Sequence, residues 1–481
     1  MEKADVLRGR RAKATEIVRG ISKMSIASRQ SNRENMMLND PISSVIPKMA
    51  LPTIVAFLIN SIYSLADTYF VSALGSTNAT AAVSVNSALD QIIMMAGSML
   101  AVGANSYVAR LLGAREKEKA DRVLSTAFFL AMALGAVLLV FGSAFMTPMV
   151  RLLGATPTCE QYSIDYATYV LLAAPFMAAN FVMNQCLRAE GSATLSMVGM
   201  GFGGILNCFL DPIFIFRLGL GVAGASMATA ISKLVSFAIL IFPYLTRRST
   251  LRLSVRCFRP TRDILSQIVA VGMPSMLRSG LAVLAGILLN NLAGDISDSV
   301  LAGIGVSTKV MMFPFGVVLG FGSGFQPVAG FNWGAKRYDR VEESYFYSAK
   351  MAIAGSAVMA LGLGVFSPQV IALFAGTDPG MRAIGALCIR LQCLALPAHA
   401  WVAVVNMFCA GLGYAKSAFL LATARQGSCF LPILYPMTWL FGAYGIASVQ
   451  AVADVLSLAL AVPVIIRMLR IVRALRAQSA E

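Results

Sequence analysis

Residues 45–74 read VIPKMALPTIVAFLINSIYSLADTYFVSAL, an apolar run broken by one lysine, Lys48, and one aspartate, Asp67. About 20 apolar residues cross the ~30 Å hydrocarbon core of a bilayer as a helix, so this stretch predicts a transmembrane helix. Asp67 then lies at a depth where a charge costs at least ~2.5–3.5 kcal/mol on insertion scales, which marks it as a functional candidate. Outward from this run the pattern repeats. Apolar segments start near Val45, Ala81, Val123, Ser163, Ala193 and Gly221, and again near Ile264, Ser299, Tyr345, Ala383, Ser417 and Ala443. Of 481 residues, 57% are hydrophobic and 13% charged, with mean hydropathy +0.73; soluble domains carry roughly 25% charged residues. The expected fold is all-α and integral to the membrane, with twelve transmembrane helices. Membrane β-barrels are excluded, because their ~10-residue alternating strands leave no long apolar runs.

A formal charge of +16 raises the question of nucleic acid, and its distribution answers it. With the N-terminus inside, 29 of the 39 lysines and arginines fall in inside segments and only Arg151, Arg217 and Arg382 in outside loops. That is the positive-inside pattern. It places both termini of a multi-pass protein in the cytoplasm and assigns the charge to topology, with the lipid bilayer as partner and no nucleic acid. The expected organisation is a basic cytoplasmic tail (1–44), a six-helix lobe (45–246), a cytoplasmic inter-lobe loop (247–263), a second six-helix lobe (264–466) and a basic cytoplasmic tail (467–481). The first forty residues lack an apolar core segment, so no cleavable signal is expected. The eight scattered cysteines include no C-x-x-C pair and indicate neither a disulfide framework nor a zinc site.

The two halves resemble each other. Gly103 and Gly113-Ala114-Arg115 recur 221 positions later as Gly324 and Gly334-Ala335-Lys336; Pro52 and Gly191 recur 222 positions later as Pro274 and Gly413. Near-constant offsets argue duplication. Six helices per repeat is an even number, so the halves insert in the same orientation, related by an axis along the membrane normal. Prolines within the apolar runs, Pro52, Pro175, Pro212, Pro274, Pro314, Pro327, Pro397, Pro432 and Pro436, predict bent helices.

Chemistry gathers in the first half. Tyr63 and Asn60 precede Asp67 by about one and two turns on the same face. Asp211 stands in GILNCFLDPIFIF, one turn after Asn207, and Thr229 sits at comparable depth in the next helix. Carboxylate, amide and hydroxyl oxygens suit a hard alkali cation, and a carboxyl in apolar surroundings also carries a proton; Na+ and H+ both remain open. The alternative for each acid is a carboxyl satisfied within a structural bundle. Asp90 is a further cavity candidate, and Asp454 is expected to pair with a nearby cation. The second half has Leu289 and Ile433 where the first has acids, and offers Arg278, Lys309, Arg390 and Arg425 instead. Arg278, Lys309, Met312, the sole histidine His399 and Trp401 are taken with Asp90 as the substrate cavity, each against the blander reading of a packing or pairing residue. No G-x-x-x-x-G-K-[ST], G-x-S-x-G or H-E-x-x-H occurs, which argues against ATP drive and against enzymatic activity. No cofactor is expected beyond a coupling ion.

The chain resembles the multidrug and toxic compound extrusion (MATE) family, in particular its bacterial DinF-like branch. The resemblance is carried by Pro52–Gly75, RLLGA (Arg110–Ala114), LRAEG (Leu187–Gly191), NCFLDPIF (Asn207–Phe214), GASMATAIS (Gly224–Ser232), Phe313–Ala335 and CAGLG (Cys409–Gly413). It implies a V-shaped pair of six-helix bundles in the bacterial inner membrane. It implies secondary active efflux of small organic, cationic and amphipathic substrates against an inward H+ or Na+ gradient, with no obligate protein partner. Asp67, Asn207, Asp211 and Thr229 match the family's cation-site positions, where Na+ would bind, and Tyr63 and Asn184 match the associated network. Lys233 departs from the glutamine common in relatives. Two rivals stand beside this expectation: a lipid-linked precursor flippase of the same superfamily, kept alive by Arg278 and Lys309, and an integral-membrane enzyme, disfavoured by the single histidine.

Overall fold

The computed structural model describes residues 31–73, 77–375 and 378–479; most of the expected N-terminal tail lies outside them. Long helices dominate: α1 Ile42–Ser72, α2 Thr77–Gly113, α3 Lys117–Ala144, α4 Glu160–Ala189, α5 Ala193–Pro212, α6 Gly221–Leu245, α7 Arg262–Ile296, α8 Asp298–Gly334, α9 Tyr338–Val365 and α10 Pro379–Leu412. The next span, α11, begins as Ala415–Thr423, passes through a π-helical turn at Ala424–Ser428 and enters the segment Leu431–Gln478. At Gly442 that segment breaks (φ 54, ψ −129), and α12 follows. Counting α11 and α12 separately gives twelve spans. Most begin several residues before the apolar runs do. Polar starts such as Lys117-Glu118 and Tyr338-Asp339 remain helical because helix formation is cooperative and does not stop where the hydrocarbon does.

The duplication is visible in the backbone. α2 and α8 both end in a left-handed non-glycine residue, Arg115 (φ 62) and Lys336 (φ 58). Both turns use the same bonds, Glu116 N–H to Leu111 O (2.8 Å) and Arg337 N–H to Asn332 O (2.9 Å), the six-to-one closure of a Schellman motif.

The lobes meet at the end carrying these basic turns. A methyl group on Gly103 would stand 2.8 Å from Ile268 Cα, and one on Gly334 would stand 2.9 Å from Arg110 Cα, each closer still to the carbonyl oxygen. Gly272 against Met99 and Gly113 against Phe331 repeat the arrangement. Only glycine admits such backbone contact. Around it, Ser106 donates to Ala410 O, Arg110 to Gln267 (3.1 Å), and Tyr107 and Lys119 to Asp263 (3.0 and 3.1 Å). Buried Arg340 donates to Asn332 (3.1 Å) and to the carbonyls of Met37 (3.3 Å) and Asp40 (2.7 Å). The segment following α6 is tied to the first lobe. Buried Glu190 accepts from Ser249 Oγ (2.6 Å), Thr250 N (2.7 Å), Leu251 N (3.2 Å) and Arg33 (3.1 Å), and Asp121 accepts from Arg252 N (2.7 Å).

Candidate functional site

Inside the first lobe lies a cavity of about 240 Å³. Tyr63 from α1, Asp90 from α2, Asn184 from α4, Thr229 and Lys233 from α6, and Met312 reaching over from α8 stand on its wall. Thr229 and Lys233 are one helical turn apart and share a face. The Lys233 ammonium donates to Tyr63 Oη (3.1 Å) and stands 4.6 Å from the centre of its ring. Behind Thr229, the Asn207 amide reaches both Thr229 Oγ1 and Asp211 Oδ1 at 3.2 Å. Asn207 and Thr229 are buried and Asp211 is fully so. Asn184 donates to Ser196 O (3.1 Å) and accepts from Arg188.

These bonds leave oxygens over. Asp67 Oδ1, Asp90 Oδ1, Asn207 Oδ1, Asp211 Oδ2 and Asn180 Oδ1 are buried without a hydrogen-bond partner. Buried polar groups are normally paired, and an unpaired carboxylate oxygen away from water is costly. Asp67 lies within electrostatic reach of Asp90, Asp211 and Lys233, and the Lys233 ammonium also acts on Asp90. Such an array of acceptors has the chemistry to receive protons or a hard cation. Among the described residues, no three His, Cys, Asp or Glu side chains converge as a transition-metal cluster.

The expected single substrate cavity is corrected by the geometry. Asp90 and Met312 line the first-lobe cavity, whereas Arg278 and His399 line a separate, smaller one inside the second lobe, beside Arg425 and Asp454. There Arg425 Nε donates to Asp454 (2.7 Å), and His399 meets the Phe315 ring edge-on at 5.2 Å. Lys309 and Trp401 line neither cavity. Lys309 is exposed on α8, and the Trp401 indole packs on the core cluster that holds Tyr345; one-turn spacing along a helix does not fix which neighbour it faces. Sequence reasoning passed over Asn180, Gln91 and Ser236 on the first-lobe wall. The signal for Ser236 was its place one turn beyond Thr229 and Lys233; Asn180 and Gln91 carried none beyond polarity inside apolar runs.

The MatE family model matches twice, at residues 52–213 and 274–435. The chain is similar to the multidrug export protein MepA of Staphylococcus aureus (strain MSSA476), 27% identical over 441 residues, covering 89% of this chain and 94% of that protein. It is also similar to MepA of Staphylococcus haemolyticus (strain JCSC1435), 26% identical over 397 residues, covering 82% and 87%. Among solved structures, a MATE in complex with MaL6 superposes with a TM-score of 0.86 at 26% identity, over 92% of this chain and 99% of the other. An outward-facing MATE transporter of the MOP superfamily superposes with a TM-score of 0.85 at 26% identity, over 92% and 98%.

Proposed function

The chain belongs to the MatE family of multidrug efflux transporters, and from that premise we propose that it is a secondary active antiporter expelling small organic cations. H+ or Na+ entering down its gradient binds at Asp67 and Asp211, with Asn207 and Thr229 supplying further oxygens. Asp90, Tyr63 and Met312 receive the substrate. The observation that carries this reading is the group of partnerless buried oxygens on Asp67, Asp90, Asn207 and Asp211. An ion and a cationic substrate both relieve the same excess of negative charge. Coupling then follows from differential affinity of the two ligands for two lobe arrangements. With the basic end in the cytoplasm, the arrangement described is closed to the cytoplasm, and both termini lie on that side of the cell membrane. The acid-lined cavity favours cationic substrates over pyrophosphate-linked lipids. The test is ion-jump-driven uptake of a fluorescent organic cation into inverted vesicles: Asp67→Asn should abolish it with the folded yield retained, and undiminished uptake would overturn the assignment.

A further inference from the structure

We infer that the second lobe holds a binding site for a small monovalent anion, at the place in the repeat that the first-lobe cavity occupies, with Arg278 as its principal ligand. The two cavities are built from the same places in the repeat. Lys233 and Asp454 stand 221 positions apart, as do Ser236 and Ser457; Met177 and His399, Asn184 and Asn406, and Gly203 and Arg425 stand 222 apart. Every one of these residues lines its respective cavity. The helix entries correspond as well: Gly221 (φ 55) and Gly442 (φ 54), 221 positions apart, both take a positive φ ahead of α6 and α12.

The charges differ. On the first-lobe wall the Lys233 ammonium stands with Asp90, and Asp67 lies within its reach. On the second, one acid and two guanidiniums line the cavity. Asp454 is already engaged: Arg425 reaches it with Nε (2.7 Å) and a terminal nitrogen (3.5 Å) while stacking over Phe315 at 4.2 Å. Arg278 has neither a hydrogen bond nor an ion pair with any described residue, yet it lines the cavity near the middle of α7. Arg278 is half-buried, and a guanidinium cannot shed its proton to escape the cost of its buried part, so a counter-ion in the cavity would stabilise it. The cavity measures about 40 Å³. At roughly 10–15 Å³ per water-sized sphere, that admits a halide or a carboxylate group and excludes a whole organic substrate. Asn406 adds a neutral amide donor at its wall.

The test uses the purified full chain in detergent, its thermal midpoint followed as sodium gluconate is exchanged for sodium chloride or sodium acetate at constant ionic strength. Chloride or acetate should raise the midpoint saturably, because gluconate is too large to enter. A response to chloride alone identifies a free halide as the occupant, and a response to acetate shows that a carboxylate is also accepted; either supports the site. Arg278→Gln should weaken the response at least tenfold while leaving the midpoint in gluconate equal to or above wild type, since it removes an uncompensated charge. Arg278→Lys should retain a weakened response. Asp67→Asn should leave it intact, so that failure of the antiport reading does not decide this one. Equal midpoints in all three salts, or an unchanged half-saturating chloride concentration in Arg278→Gln, would overturn the proposal.

Discussion

One methyl group at Gly334 should open the basic end of the molecule. In the arrangement described, it would lie 2.9 Å from Arg110 Cα, where ordinary contact begins at 3.4 Å, and nearer still to the Arg110 carbonyl oxygen. The backbones of α2 and α8 must therefore separate by at least about 0.5 Å, and neither can yield alone, because both are long helices packed into their own lobes. Overpacking of this kind costs ~1–3 kcal/mol. The cost falls only on the state in which these helices touch. A lobe arrangement that parts them escapes it, so the equilibrium between the two should move by ~5–150-fold. The readout is double electron–electron resonance between spin labels at Glu116 and Arg337, both exposed beyond the two turns, after Cys208 and Cys257, the cysteines that are not buried, are replaced by serine. Gly334→Ala should deplete the short-distance population at least fivefold, and Gly113→Ala, mirrored against Phe331, should do the same. Gly305→Ala, whose methyl meets nothing within 4 Å, should change nothing. An unaltered distance distribution in Gly334→Ala would refute the claim that backbone contact closes this end.

Three further outcomes are expected. Asp211→Asn should reduce ion-driven export at least tenfold, as Asp67→Asn does, because it removes the charge of a fully buried carboxylate; the vesicle assay checks it, and normal export would place the coupling site elsewhere. Lys233→Gln withdraws an ammonium from Tyr63 and from the field of Asp67 and Asp90. The half-saturating Na+ concentration for export should fall about tenfold, equivalent to ~1.4 kcal/mol, and an unchanged Na+ titration counts against a role for this lysine in ion choice. Glu190→Ala strands the buried donors of Ser249, Thr250 and Leu251 and leaves Arg33 without its carboxylate. The loss should be about 3 kcal/mol, read as a lowered thermal midpoint in detergent, and wild-type stability would show that the inter-lobe segment is held by other contacts.

The fold was legible because membrane insertion writes itself in one dimension. Apolar length gives the spans, and a constant offset gives the duplication. The glycines that betrayed the repeat, Gly103, Gly113 and Gly334, turn out to be points where the lobes touch. A contact between symmetry-related backbones constrains both copies at once, so repeat landmarks and lobe contacts coincide. Less legible was the anchoring at the basic end. Glu190, within the LRAEG stretch, reads locally as a helix terminus, and its partners lie about sixty residues onward and at Arg33.

The site was legible by residue type and illegible by pairing. An acid or an arginine inside an apolar run announces itself through its insertion cost; whether it faces an ion, a counter-charge or solvent depends on helix rotation, which spacing leaves free. Asp211 and Asn207, four residues apart, therefore came together as expected from one turn of helix, while Lys233 found Tyr63 across 170 positions and Lys309 found the surface. The repeat supplies a constraint that single-helix reasoning lacks. If two lobes are copies, a wall position in one cavity predicts a wall position in the other, though not its chemistry. Lys233 points to Asp454, and Gly203 points to Arg425. Lys233 and Asp454 put opposite charges at one place of the repeat, while Leu289 and Ile433 stand where Asp67 and Asp211 do, so the two cavities keep their position in the fold and differ in charge residue by residue.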